Sequence, residues 1–136
     1  MAWPITGNPT WVDYEVGGTR IWAVNLNAVE QKIQDLYIQP INTQMGAYTL
    51  VASDAGKMVE MALSAAADLT VPANVFSAGQ RVDVADRGTA RMTFVQGVGM
   101  TLHGDPSLVS GAQYRAYSIY FWSATEADVY GGLATP

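Results

Sequence analysis

The sequence predicts a mainly β protein: an antiparallel β-sandwich, or a barrel-like jelly-roll variant, with an N-terminal extended arm and one short helix. Three observations carry that expectation. Thirteen glycines, seven tyrosines and four tryptophans among 136 residues, with many Val and Thr, are the residue types that strands and tight turns favour. From residue 46 onward apolar residues recur with period two, and Gly, Pro and Asp clusters interrupt them about every 8–12 residues, as in antiparallel sandwiches and barrels. No helical stretch alternates with these strands, which argues against a parallel α/β sheet.

Three segments follow in order: an arm at 1–20, a helical segment at 21–40 and a β-domain at 41–136. In the arm, Pro4 and Pro9 each remove a backbone donor and push the preceding residue toward extended geometry. Gly7-Asn8 and Gly17-Gly18 are turn signals. Trp3, Ile5, Trp11, Val12 and Tyr14 are too many large apolar groups for a solvated tail and too interrupted to build a core. The expectation is an extended arm lying in a groove of its own oligomer or of a host assembly, contacting it through Trp3, Pro4, Ile5, Trp11 and Tyr14.

Residues 22–37 form the one convincing helix. Trp22, Leu26, Val29, Ile33 and Leu36 follow the 4-3-4-3 spacing of a heptad seam, and the intervening residues are polar. A stripe this narrow suits helix-on-helix packing rather than a sheet. A helix of this length is marginal alone in water, so the seam is expected to be covered, by further copies of the chain or by its own domain. Pro40 closes the segment.

The β-domain is read as strands at 46–52, 57–62, 68–71, 80–85, 90–96, 100–103, 113–122 and 127–130. Tight turns are expected at 53–56, 86–88 and 104–106, and a loop at 72–79. Residues 80–85 alternate Arg81 and Asp83 with Val82 and Val84, the pattern of a half-buried strand.

Composition excludes several functions. Seven basic against twelve acidic residues give a net charge of −5, where a nucleic-acid binder needs clustered Lys and Arg. No apolar run approaches the roughly 20 residues of a membrane-spanning helix, and Met-Ala-Trp-Pro does not open like a signal peptide. With no cysteine there is no disulfide framework, thiolate metal site or cysteine nucleophile. Two lysines and 14% charged residues make a surface sparsely charged for a free monomer, which suggests that copies of itself or a larger assembly cover part of it.

The chemical inventory is short. His103 is the single histidine. It precedes a Gly-Asp-Pro turn, and no Gly-x-Ser-x-Gly elbow accompanies it. Asp54, Asp83, Asp86, Asp105 and Asp128 mostly occupy expected turns, where Asp serves the backbone, so a carboxylate-pair hydrolase is disfavoured. Gly56-Lys57 is followed by Met58, not by the Ser or Thr of a phosphate loop. The Asp-rich turns also lack calcium-loop spacing. The expectation is no enzyme, no catalytic residue, no metal and no cofactor. Tyr114, Tyr117, Tyr120, Trp122 and Tyr130 could alternatively form a stacking surface for a host glycan, with Tyr114, Tyr117 and Trp122 the residues chosen for it; core or interface is the competing role.

A resemblance adds to this reading. Tyr48-Thr49-Leu50, Asp54 to Glu60, Leu69-Thr70-Val71-Pro72, Phe76, Gly79 to Val84, Met92-Thr93-Phe94, Val98 to Leu102, Gln113-Tyr114 and Trp122 together resemble a small β-sandwich module of bacteriophage head-decoration, fibre and spike proteins. Gly17 to Ile21 followed by Leu26 to Gln31 is similar to the helical segment that precedes such modules. The resemblance spans about residues 17–130. It implies a non-enzymatic virion protein, homotrimeric about its helices through Trp22, Leu26, Val29, Ile33 and Leu36. Trp22 stands where such segments carry a Ser or Thr cap, so the helix start is expected either to shift to Thr19 or to be held by packing. A chain this short, without a shaft, favours a capsid decoration protein on the head exterior, its arm docked on the major capsid protein. A receptor- or carbohydrate-binding module at a tail tip is the alternative.

Overall fold

Alternation along a strand decides which side chains face the interior, and the second half of this chain uses it to close a core between two sheets. The computed structural model describes residues 14–16, 19–21, 23–36 and 38–135, with side chains for 28–36 and 38–135. The chain divides into two compact units, Met1–Gln39 and Pro40–Pro136.

In the first unit, β1 (Tyr14–Val16) and β2 (Thr19–Ile21) pair antiparallel, Tyr14 opposite Ile21 and Val16 opposite Thr19. Gly17-Gly18 connects them, a dipeptide suited to a two-residue hairpin. Within the segment expected as an extended arm over 1–20, residues 14–16 are extended and pair with 19–21. Trp3, Pro4, Ile5 and Trp11 lie outside the described residues. Helix α1 runs Ala23–Asp35, within the expected 22–37. Because Thr19–Ile21 is a strand, a helix start at Thr19 is excluded. Gln31 Nε2 donates to Asp35 Oδ1 at 2.9 Å one turn on, and Lys32 in the last turn complements the negative end of the helix dipole.

In the second unit the chain winds between two sheets. β3 (Ile41–Gln44), β5 (Met58–Met61) and β7 (Arg81–Asp86) lie in one; β4 (Tyr48–Thr49), β6 (Ala67–Val71) and β8 (Met92–Gln96) form the other. The alternation β3-β4-β5-β6-β7-β8 makes a solenoid-like coil in which each strand pairs in parallel with the strand two positions earlier. The last three strands complete the larger sheet: β10 (Arg115–Ser123) pairs antiparallel with β7 and with β11 (Glu126–Gly131), and β9 (Thr101–Gly104) closes the edge in parallel with β11. The order is β3-β5-β7-β10-β11-β9.

The chain is thus mainly β, with mixed and parallel sheets; the antiparallel order expected throughout is realised at β7-β10-β11. Parallel neighbours need a crossover. Here the other sheet supplies it, so the lack of alternating helices did not exclude parallel pairing. β3 was not foreseen, and the expected strand at 46–52 shrinks to Tyr48–Thr49, followed by a 3₁₀ turn at Ala52–Asp54.

The core fills the space between the sheets. Val59, Met61, Val82, Val84, Ile119 and Phe121 from the six-stranded sheet face Leu69, Val71, Met92 and Phe94 from the three-stranded one, all essentially inaccessible. Phe94 meets Tyr117 edge-on across the layers at 5.3 Å between centroids, and Phe76 stacks on Phe121 at 4.4 Å. Gly88 permits the tightest backbone approach: a Cβ there would lie 2.1 Å from the Leu63 amide nitrogen.

Two buried carboxylates contrast. Asp54 and Asp86 are each 1% exposed. Asp54 accepts three hydrogen bonds at the first coil: from Asn42 Nδ2 (2.9 Å), Tyr48 Oη (3.0 Å) and the Val51 amide (2.9 Å). Asp86, which follows Val82 and Val84 inward along β7, has a buried Oδ1 without a partner among the described residues. A buried acceptor left unpaired costs about 1–3 kcal/mol. Asp86→Val, which continues the Val82-Val84 series, is therefore expected to stabilise the fold by about 1 kcal/mol, read as a raised urea midpoint. A lowered midpoint would show that this carboxylate is solvated.

Candidate functional site

Two surfaces present residues singled out in the sequence. The first is the seam of α1. Val29 and Ile33 are about half exposed and Leu36, just beyond the helix, is 84% exposed. They share one face because their spacings of 4 and 3 match a helical turn. Leu26 belongs to α1, but its side chain is outside those described, as are Trp22 and the side chain of Tyr14.

The second surface is the outer face of the larger sheet, on β10 and β11. Tyr117, Ile119 and Phe121 on β10 and Ala127 and Val129 on β11 point into the core. Ser118, Tyr120 and Trp122, with Glu126, Asp128 and Tyr130, point outward by strand alternation. Register sets Tyr120 opposite Asp128 and Ser118 opposite Tyr130. The ladder shifts between Phe121 and Ser123, so Trp122 sits at a bulge, a device that re-aims a side chain.

Hydrogen bonds tie this face together. Trp122 Nε1 and Tyr130 Oη both donate to Asp128 Oδ2, each at 2.9 Å. The Tyr120 and Trp122 rings meet edge-on at 4.7 Å. The Ser118 hydroxyl donates to Asp83 Oδ1, which also lies 3.2 Å from Arg81 Nε. A shallow groove of about 280 Å³ beside Tyr130 is lined by Met58, Asp83, Ala116, Ser118 and Gly131. The Tyr130 phenol is held above its ordinary range, first by its bond to Asp128 and then by burial.

The structure separates the residues expected to form a glycan surface. Tyr117 is corrected to a core residue, 2% exposed: its hydroxyl accepts from the Gly111 amide at 3.0 Å and donates to the Gly132 carbonyl at 3.2 Å. Tyr114 is exposed but stands before the start of β10, under the Arg87 guanidinium at 5.3 Å. Seven strand residues, 115–121, separate it from Trp122, about 25 Å. Trp122 instead joins Tyr120 and Tyr130, which the sequence also offered, and Asp128, which the sequence placed on the strand at 127–130 without a part in this surface.

Of the other candidates, His103 Nε2 lies 3.3 Å from Glu126 Oε1 on the exposed edge of β9. Among the described residues no group of three or more His, Asp or Glu could hold a metal ion, and no helix is long and apolar enough to cross a membrane.

Two further phenols give the second unit a pH dependence. Burial pushes the Tyr48 hydroxyl above its ordinary value; the Asn42 bond pulls it back, and Asp54 adds to the rise. Burial likewise raises Tyr117, against the Gly111 amide, with Asp86 adding to the rise. Below about pH 9 both phenols are protonated in folded and unfolded chains alike and pH has no effect through them. Above that the unfolded chain loses these protons first, so stability falls as pH climbs. Tyr117→Phe is expected to make urea midpoints fall less steeply between pH 9.5 and about 11.5; an unchanged slope would remove Tyr117 from the effect.

No family model, curated protein or solved structure matches this chain.

Proposed function

We propose that this chain is a non-enzymatic structural protein of a bacteriophage virion, homotrimeric about α1, that decorates the capsid head and stabilises the lattice. The observation that carries the proposal is the exposed seam of Val29, Ile33 and Leu36 on a helix too short to persist uncovered. Three such helices would bury each seam against two neighbours and fix a common register. Burial stabilises by about 1.5–3 kcal/mol per large apolar side chain before ordering costs.

The sparse charge of the chain supports an assembled state. The residue pattern over about 17–130 supports the virion assignment, and the aromatic residues before Tyr14 would serve as the attachment to the major capsid protein. The antiparallel sandwich of the resembled module is not part of the proposal; the parallel coil takes its place as the projecting unit.

Immunogold labelling of phage particles from the source, with antibody against the full chain, tests the location. Label over heads is expected. Label at tail tips would move the protein to the tail, and particles without label would overturn the virion assignment.

A further inference from the structure

We propose that the outer face of β10 and β11 binds a neutral sugar, with Trp122 and Tyr130 as the stacking rings and Asp128 as the acceptor for its hydroxyls. Trp122 and Tyr130 are 54% and 53% exposed. Each has a single polar side-chain atom, and both atoms are committed to Asp128 Oδ2. What remains open to solvent on either side chain is therefore ring carbon.

A pyranose ring has the matching chemistry: a face of C–H groups that lies on an aromatic π-system, and hydroxyls around its rim that need acceptors. Asp128 Oδ1 accepts no hydrogen bond among the described residues and stands beside both rings. Nearby, Ser118 and the groove next to Tyr130 give a second sugar unit polar groups to contact.

The site is also held in shape before any ligand arrives. Trp122 is fixed by its bond to Asp128 and its edge contact with Tyr120 at 4.7 Å, and Tyr130 by the same carboxylate. Two rigid aromatic side chains lose little entropy on binding. Charge selects among sugars. Among the described residues Asp128 has no ion-pair partner, and Glu126 lies two residues before it on the same face, near His103, while Asp83 is paired with Arg81. Anionic sugars are repelled, so the ligand is a neutral hexose or N-acetylhexosamine unit.

Calorimetric titration of the full chain with neutral gluco-, galacto- and N-acetylglucosamine tetrasaccharides tests this, with a sialylated oligosaccharide as the anionic comparison. Saturable binding of at least one neutral tetrasaccharide is expected at about millimolar affinity, with no binding of the sialylated one. Trp122→Ala is expected to weaken binding about tenfold or more. Tyr114→Ala, about 25 Å away along the strand, is expected to leave it unchanged. Trp122 is outside the core, so unchanged far-ultraviolet circular dichroism shows that the variant is folded. The proposal is overturned if no neutral tetrasaccharide binds, if Trp122→Ala binds like the parent, or if Trp122→Ala dissociates the oligomer, which would make this face a contact between copies. The two binding outcomes leave the seam of α1 untouched, so the trimer and the sugar site stand or fall separately in them; dissociation by Trp122→Ala would add this face to the contacts between copies.

Discussion

Asp54→Ala is expected to lower the stability of the full chain by about 3 kcal/mol, the largest effect of any single polar side chain described. The carboxylate is 1% exposed and joins three parts of the first coil. Asn42 reaches it from β3, Tyr48 from β4, and the Val51 amide from the entry to the 3₁₀ turn. Asn42 also donates to the Tyr48 hydroxyl at 3.0 Å and accepts from Gln44 Nε2 at 2.7 Å. Removing the carboxylate strands three donors at once, each worth about 1 kcal/mol or more when left unpaired in a partly buried place.

Asp54→Asn keeps one acceptor but turns an amide donor toward other donors, so a loss of about half that size is expected. Urea denaturation measures both. A loss below about 1 kcal/mol for Asp54→Ala would mean that water takes over the network. The contrast with Asp86→Val, expected to stabilise, makes the test sharp: two carboxylates of equal burial differ in sign because Asp54 has partners on both oxygens and Asp86 leaves its buried Oδ1 unpaired among the described residues.

That network also shows what the residues reveal and what they conceal. Asp54 was expected to serve a turn, and it does, by accepting from the Val51 amide. Its two side-chain donors come from Asn42 and Tyr48, and that union depends on how β3 and β4 lie in different sheets. β3 itself, Ile41–Gln44, was hidden because Asn-Thr-Gln after Ile41 lacks apolar alternation. Asn42 lies in register with Val59, and Val59 with Val84, so the polar residue occupies the end of a stack whose later members are apolar.

The strands at 58–61, 67–71, 81–86, 92–96, 101–104, 115–123 and 126–131 were legible because each keeps period two between turn residues. Their pairing was not legible, since the same alternation fits a strand whether its neighbour runs parallel or antiparallel. At the candidate sugar site the alternation was available: it places Tyr117 with Ile119 and Phe121, and Tyr120 with Trp122. The role of Asp128 needed the β10–β11 register, which no local pattern encodes.

The second large effect concerns the seam. Ile33→Glu is expected to convert the assembled chain to monomer while leaving the β unit folded. Ile33 is the middle member of the described stripe, with Val29 four residues before it and Leu36 three after. In a three-helix seam the substitution would bring three carboxylates together in an apolar interface, and burying an unpaired charge is strongly unfavourable. In a single chain the same position is half exposed, so the cost falls on assembly rather than on folding of the β unit. Gln34→Glu adds the same charge off the seam and is expected to leave assembly intact. Sedimentation velocity of the two variants separates the outcomes: if Ile33→Glu sediments like its parent, the seam is not the interface.

Sedimentation equilibrium of the unmodified chain, followed from low micromolar to high micromolar concentration, addresses the trimer directly. The expected result is a single species of three times the 14.6 kDa chain mass. A 14.6 kDa species throughout that range would contradict assembly about α1, and with it the proposal of a trimeric decoration protein.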